Sequence, residues 1–157
     1  MNDAETLSKT ILLRELPKDQ LQKLASISEQ RTVNPGTEVL REGQTGDELL
    51  VILMGTVKVT KKDDQGRDEE LAVLGSGSYV GELELVSADH ENAATVTAQE
   101  NTTLVAMKRG AIESLCERDP AFGYHFYRAL SRGLSRRLAL TDEAAAHFKG
   151  LSVRARG

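Results

Sequence analysis

One cysteine, three histidines and three prolines are all that 157 residues supply of these types. A lone Cys116 cannot close an intramolecular disulfide; it fits a reducing compartment and predicts a cytoplasmic protein. His90, His125 and His147 form no His-x-His and no pair one helical turn apart. That spacing excludes the clustered imidazoles that a metal-binding β-barrel enzyme needs, so no metal ligand is assigned. No nucleophile–base motif and no Walker-type loop is present, so no catalytic residue is assigned and an enzyme is not expected. No apolar run approaches the ~20 residues of a membrane span. The opening Met1-Asn2-Asp3-Ala4-Glu5 is acidic with no sustained apolar stretch behind it, so neither a signal peptide nor a membrane partner is expected.

What is present reads as one globular domain over 1–157. The apolar fraction of 39% and the charged fraction of 28% are those of a soluble chain with enough carbon for a single core. Net charge is −4, but unevenly spread. From Arg128 onward seven basic residues face only Asp142 and Glu143, so this part carries +5 and the remainder −9. The overall sign argues against a nucleic-acid partner.

Residues 1–29 read as N-terminal helices interrupted at Pro17, with Leu7, Ile11 and Leu12, then Leu21, Leu24 and Ile27, at helical spacing. From 30 to 108 the pattern is β. Asn34-Pro35-Gly36 is a turn. Leu49 to Leu53 is a continuous apolar run, as in a strand buried on both faces, whereas Thr56 to Thr60 alternates. Lys61 to Asp68 is a charged hairpin tip, and Thr102 to Met107 gives a last strand. Short strands bounded by glycine suggest a small barrel or roll. Helices return over 109–148. Asp119-Pro120 places an N-cap before a proline at the first helical position, and the helix that follows is expected to reach His147, on the order of 40 Å. Its stripe, Tyr127, Leu130, Leu134, Leu138, Thr141, Ala145 and Phe148, serves either the domain's own core or a partner helix. Arg132, Arg136 and Arg137 fall off that stripe, on what reads as a solvated face. Residues 149–157 form a basic tail.

Between strands lies Gly75-Ser76-Gly77-Ser78-Tyr79-Val80-Gly81-Glu82-Leu83-Glu84-Leu85-Val86, with three glycines in seven positions. Such density implies tight turning or close backbone approach. Glu82 opens a single helical turn, where free backbone N–H groups suit an anion. A well-turned loop without ligand remains the alternative, with Glu82 capping its own turn.

Gly81-Glu82-Leu83, a loop, then Ala93-Ala94-Thr95-Val96 resembles the phosphate-binding cassette of the cyclic-nucleotide-binding domain family. Val33 to Gly43 and Gly46 to Val59 resemble the same family's glycine-punctuated β-roll, and the likeness covers roughly Leu16 to Thr141. It implies an α+β fold: an antiparallel β-roll (double-stranded β-helix, jelly-roll-like), its cassette at 75–96, flanked by N-terminal helices and a long C-terminal helix. It also implies a ligand, cAMP or cGMP. Glu82 would accept the ribose 2′-hydroxyl, and N–H groups of Gly81 to Leu83 would hold phosphate oxygens. Val59 and Leu71 would line the base, and Thr141 would reach the purine edge. One position departs. Where the family carries an arginine for the phosphate, this chain has Asn92, followed by Ala93 without the hydroxyl of some relatives. An amide cannot neutralise a phosphate. His90, two positions earlier, is a candidate replacement cation.

Three functions follow from this reading. The first is a cyclic-nucleotide sensor signalling through the C-terminal helix. The second is a degenerate module used for protein contact or homodimerisation through that helix. The third is a binder of another small ligand. The transcription factors of the family carry a helix-turn-helix unit after the long helix; with about ten residues left here, DNA is not an expected partner.

Overall fold

A computed structural model describes the backbone of residues 3–156 and the side chains of residues 4–140. Helix α1 (Asp3–Ser8) stops well short of Pro17, against the expectation that helix would run up to the proline. Local hydrogen bonding ends it. The Ser8 hydroxyl donates to the Glu5 carbonyl and the Thr10 hydroxyl to the Leu7 carbonyl, at 2.6 and 2.8 Å. The Ile11 N–H is then drawn out of the helix to the Gly77 carbonyl. Helix α2 (Lys18–Ser26) starts directly after Pro17, as expected of a residue that cannot continue a helix behind it but presets the next one.

Among the described residues eight strands follow: β1 (Ser28–Val33), β2 (Glu38–Leu40), β3 (Glu48–Met54), β4 (Val57–Lys62), β5 (Asp68–Leu74), β6 (Tyr79–Val80), β7 (Thr95–Ala98) and β8 (Thr102–Lys108). They form two antiparallel four-stranded sheets, ordered β1-β8-β3-β6 and β2-β7-β4-β5. This is the open β-roll expected of the glycine-spaced strands. Helix α3 (Glu82–Val86) interrupts the strands at the cassette, and α4 (Arg109–Arg118) and α5 (Pro120–Arg156) close the order.

The apolar run of β3 is buried on both faces because it separates two cores. Leu49 and Val51 pack toward the helices with Leu24, Met107, Phe122 and Phe126. Leu50 and Ile52 point the other way, into the space between the sheets, with Val57, Val80, Val96 and Leu104. Each fully buried aliphatic side chain stabilises the fold by about 1.5–3 kcal/mol.

Asp119 caps α5 as expected, accepting a hydrogen bond from the Phe122 N–H at 3.2 Å. Lys23 on α2 pairs with the same carboxylate and, with that N–H, holds its carboxyl below the usual aspartate range. The helix is longer than expected, since 149–157 is not a separate tail: α5 runs on to Arg156. Its buried face is also rotated from the expected stripe. Leu130 is buried and Leu134 packs against the core as the stripe expects, but Phe122, Phe126 and Ala129 are buried beside them, whereas Tyr127 is 37% and Leu138 63% exposed. Phe122 and Phe126 set this phase by stacking at 5.7 Å and seating on the roll. Among the described residues no helix is long and apolar enough to cross a membrane.

Candidate functional site

The cassette turns on Gly81. Its φ of +89° lies in the left-handed region, and a Cβ there would collide with the Glu48 carbonyl of β3. Only glycine lets the chain turn this close to the sheet and start α3 at Glu82. Gly81→Ala is therefore expected to cost about 2–4 kcal/mol, combining left-handed strain with overpacking. A urea titration showing less than a kilocalorie would contradict that origin for the turn.

Above the cassette lies a cavity of about 260 Å³. One wall is apolar and drawn from the second sheet: Leu40, Val59, Ala72, Leu74 and Val96. The other wall is the cassette, from Val80 to Glu84 with Ala93 and Ala94, and α5 reaches over it with Arg137.

The polar groups of this cavity are already engaged with one another. Arg137 Nη1 donates to Glu82 Oε1, and the Arg137 guanidinium lies 4.9 Å from the centre of the Tyr79 ring. Tyr79 fits there because α5 has Gly133 at the crossing; a Cβ on it would meet the tyrosine hydroxyl at 2.7 Å. Glu84 turns back over the cassette, and one of its carboxylate oxygens accepts the Ala93 N–H at 3.0 Å. Both glutamates are more than nine-tenths buried.

Asn92 is buried too, but it does not line this cavity. Its Nδ2 donates to the Arg41 carbonyl at 2.9 Å, while its Oδ1 is buried without a donor among the described residues. Glu84 and Asn92 share the space above Gly46, where an added Cβ would strike both side chains. His90 does not replace the missing arginine. Its backbone is left-handed at φ +55°, its Nδ1 is tied to the Glu84 carbonyl at 2.5 Å, and it is not among the residues lining the cavity.

Residues 30–119 match the family described as the cyclic nucleotide-binding domain. The chain belongs to this family. It is 32% identical over 109 residues to the cAMP-dependent protein kinase regulatory subunit of Yarrowia lipolytica, covering 69% of this chain and 28% of that subunit. Among solved structures it superimposes on the catabolite activator protein of Thermus thermophilus with a TM-score of 0.75 and 26% identity, over 89% of this chain and 63% of that one. It also resembles, with a TM-score of 0.64 and 27% identity over 79% of this chain and 49% of that one, the regulatory subunit of a cAMP-independent protein kinase A from Trypanosoma brucei. That structure is of a mutant with a glutamate changed to alanine, a threonine to arginine and a valine to alanine, bound to cAMP in its A site. The chain spans under half the length of the curated relatives it matches.

Set on this cyclic nucleotide-binding domain, most of the expected site residues converge. Val59, Gly81, Glu82, Leu83 and Ala93 all border the cavity. Leu71 does not, and is 53% exposed. Strand β5 carries a bulge: Val59 pairs with Ala72 and Thr60 with Glu70, which leaves Leu71 as the unpaired extra residue. Ala72 and Leu74 therefore take the wall position expected of it. Asn92 sits behind the cassette rather than in it. The side chain of Thr141 lies outside the described residues.

Two residues that sequence reasoning passed over are at the centre of the site. Arg137, placed on a solvated face, points inward. The signal was available in the spacing from Phe122 and Phe126, which carries the buried face through Gly133 to 137. Its neighbours Arg132 and Arg136 are not simply solvated either; both pair with Glu15, and the Arg132 hydrogen bond keeps that carboxyl below the usual glutamate range. Glu84 could have been noticed as a carboxylate set inside the apolar run Leu83 to Val86.

Proposed function

We propose that this domain is a regulatory sensor of the cyclic-nucleotide-binding type, in which a small ligand in the cassette competes with helix α5 for Glu82. One observation carries this reading: Arg137 of α5 holds the carboxylate that the family resemblance assigns to the ribose hydroxyl. A ligand that takes Glu82 releases Arg137, so occupancy of the cavity changes how α5 is held. Such a coupling requires that the two partners exclude one another, which a shared carboxylate supplies.

Cyclic nucleotide itself is expected to bind weakly. The Ala93 N–H, a natural donor to a phosphate oxygen, is engaged by Glu84, and Asn92 offers no positive charge. The relative from a cAMP-independent kinase of Trypanosoma brucei is bound to cAMP as a mutant that has lost a glutamate and gained an arginine, a change of charge in the direction this reading calls for.

The test is a titration of cAMP and cGMP followed by melting temperature and by hydrogen exchange over 120–156. Ligand at 100 times its dissociation constant should stabilise the fold by about 2.7 kcal/mol. Arg137→Ala should lower stability by about 1–3 kcal/mol, because it strands a buried carboxylate beside a half-exposed partner. The same variant should bind more tightly and lose the exchange response of α5. An α5 response that survives in Arg137→Ala would refute the coupling.

A second reading has its own observation. The cassette is filled from within by Glu84 and Arg137, while Leu138 and Leu140 on α5 stand exposed. A module that keeps the fold and uses α5 to dimerise or to contact another protein would look the same, and would show no melting shift at millimolar nucleotide.

A further inference from the structure

We propose that the cassette cavity selects an organic cation, a flat apolar body bearing an ammonium or guanidinium group, in preference to a cyclic phosphate; the proposal rests on reading the cavity as a ligand site.

Charge is the first ground. Two carboxylates border the cavity and one cation, Arg137, faces them among the described lining residues. Arg137 is spent on Glu82. Glu84 is buried, gives one oxygen to the Ala93 N–H, and has no cation within salt-bridge distance among the described residues. A carboxylate removed from water and left without a counter-charge is costly, and an incoming cation relieves that cost. An incoming phosphate would instead meet a like charge at short range in a low-dielectric site.

The second ground is that the cavity already seats a guanidinium. Arg137 sits against the Tyr79 ring face with its nitrogen on Glu82. Tyr79 itself is buried beneath Arg137 and does not border the cavity, so the carboxylates are the surface open to an incoming cation. The third ground is the opposite wall, where Val59, Ala72 and Leu74 offer carbon to a flat body and no competing charge. At about 260 Å³ the cavity lies just under the usual range of small-molecule pockets, so only a small ligand fits without movement of its walls.

Three nucleosides that share one body and differ only at the cassette end test this by calorimetry on the whole chain at neutral pH: 5′-amino-5′-deoxyadenosine, adenosine and cAMP. Hydrogen exchange over 120–156 is followed with each. The amine should bind at least roughly tenfold more tightly than adenosine, and adenosine more tightly than cAMP. In Glu84→Gln, which keeps the shape and the acceptor for Ala93, the amine's advantage should shrink to within about twofold. Should that variant not fold, salt decides on the unaltered protein: added salt should weaken the amine and leave adenosine unchanged. Binding of cAMP as tight as that of the amine overturns the cation proposal, and an α5 response to cAMP then leaves the sensor reading standing. Amine binding without any α5 response keeps the cation proposal and removes the sensor reading. No binding of any of the three, to wild type or to Arg137→Ala, overturns both.

Discussion

Replacing Glu84 by alanine and Asn92 by arginine together should raise the affinity for cAMP by about 30-fold or more. The estimate follows from charge. Leaving one partner of a close, desolvated charge pair unmatched typically costs about 2–5 kcal/mol, and each ~1.4 kcal/mol is a decade in affinity. In the native domain a cyclic phosphate would lie near one unmatched carboxylate and lack the guanidinium that an arginine at position 92 would bring, Arg137 being engaged with Glu82. Removing Glu84 frees the Ala93 N–H that this side chain now occupies. Arginine at 92 enters the space above Gly46 that Glu84 vacates, since both native side chains press on that glycine. The single substitutions are expected to be non-additive, because they share this space. A calorimetric titration of cAMP against the four proteins of the cycle measures the coupling directly. A double variant that binds cAMP no better than wild type would mean that the cavity's charge is not what limits nucleotide binding.

Truncating Phe122 to alanine should remove about 3–5 kcal/mol of stability, the usual consequence of an aromatic-sized void in a packed core. Phe122 is fully buried and stacks on Phe126, and the pair fastens the start of α5 to the core formed by β3, β8 and α4. The same two rings set the rotation of α5 that brings Gly133 onto Tyr79 and Arg137 onto Glu82. The loss should therefore appear twice: as a fall of roughly 6–20 °C in melting temperature, and as faster hydrogen exchange along the described part of α5. Tyr127→Ala, one position round the helix and partly exposed, should cost about 1 kcal/mol or less. Equal costs at the two positions would show that the helix is not anchored by its phenylalanine face.

Legibility differed by element, for identifiable reasons. The two-sided burial of β3 could be read from Leu49 to Leu53, because a run without alternation has no wet face to offer. The turn at Gly81 and the cap at Asp119 were equally local, each set by the backbone freedom or hydrogen bonding of one residue. Leu71 was misplaced because the β5 bulge changes which residue faces the cavity, and a bulge leaves no mark in an apolar pattern. Arg137 was misplaced because the stripe on α5 was phased from Tyr127, whereas the stacked phenylalanines carry the burial. Glu84 is a harder case. Its meaning depends on which N–H it meets, and Ala93 is nine residues away along the chain.

By itself the sequence determined the β-roll, the family and the position of the cassette, because these depend on glycine spacing and on strands whose patterns are set within a few residues. Only the tertiary structure decided the character of the cavity. It brought a guanidinium from α5 onto Glu82, turned Asn92 away behind the cassette and laid Glu84 over the Ala93 N–H. Those three placements join segments far apart in the chain, and the sign of charge a cavity prefers is a sum over all the groups that folding collects around it.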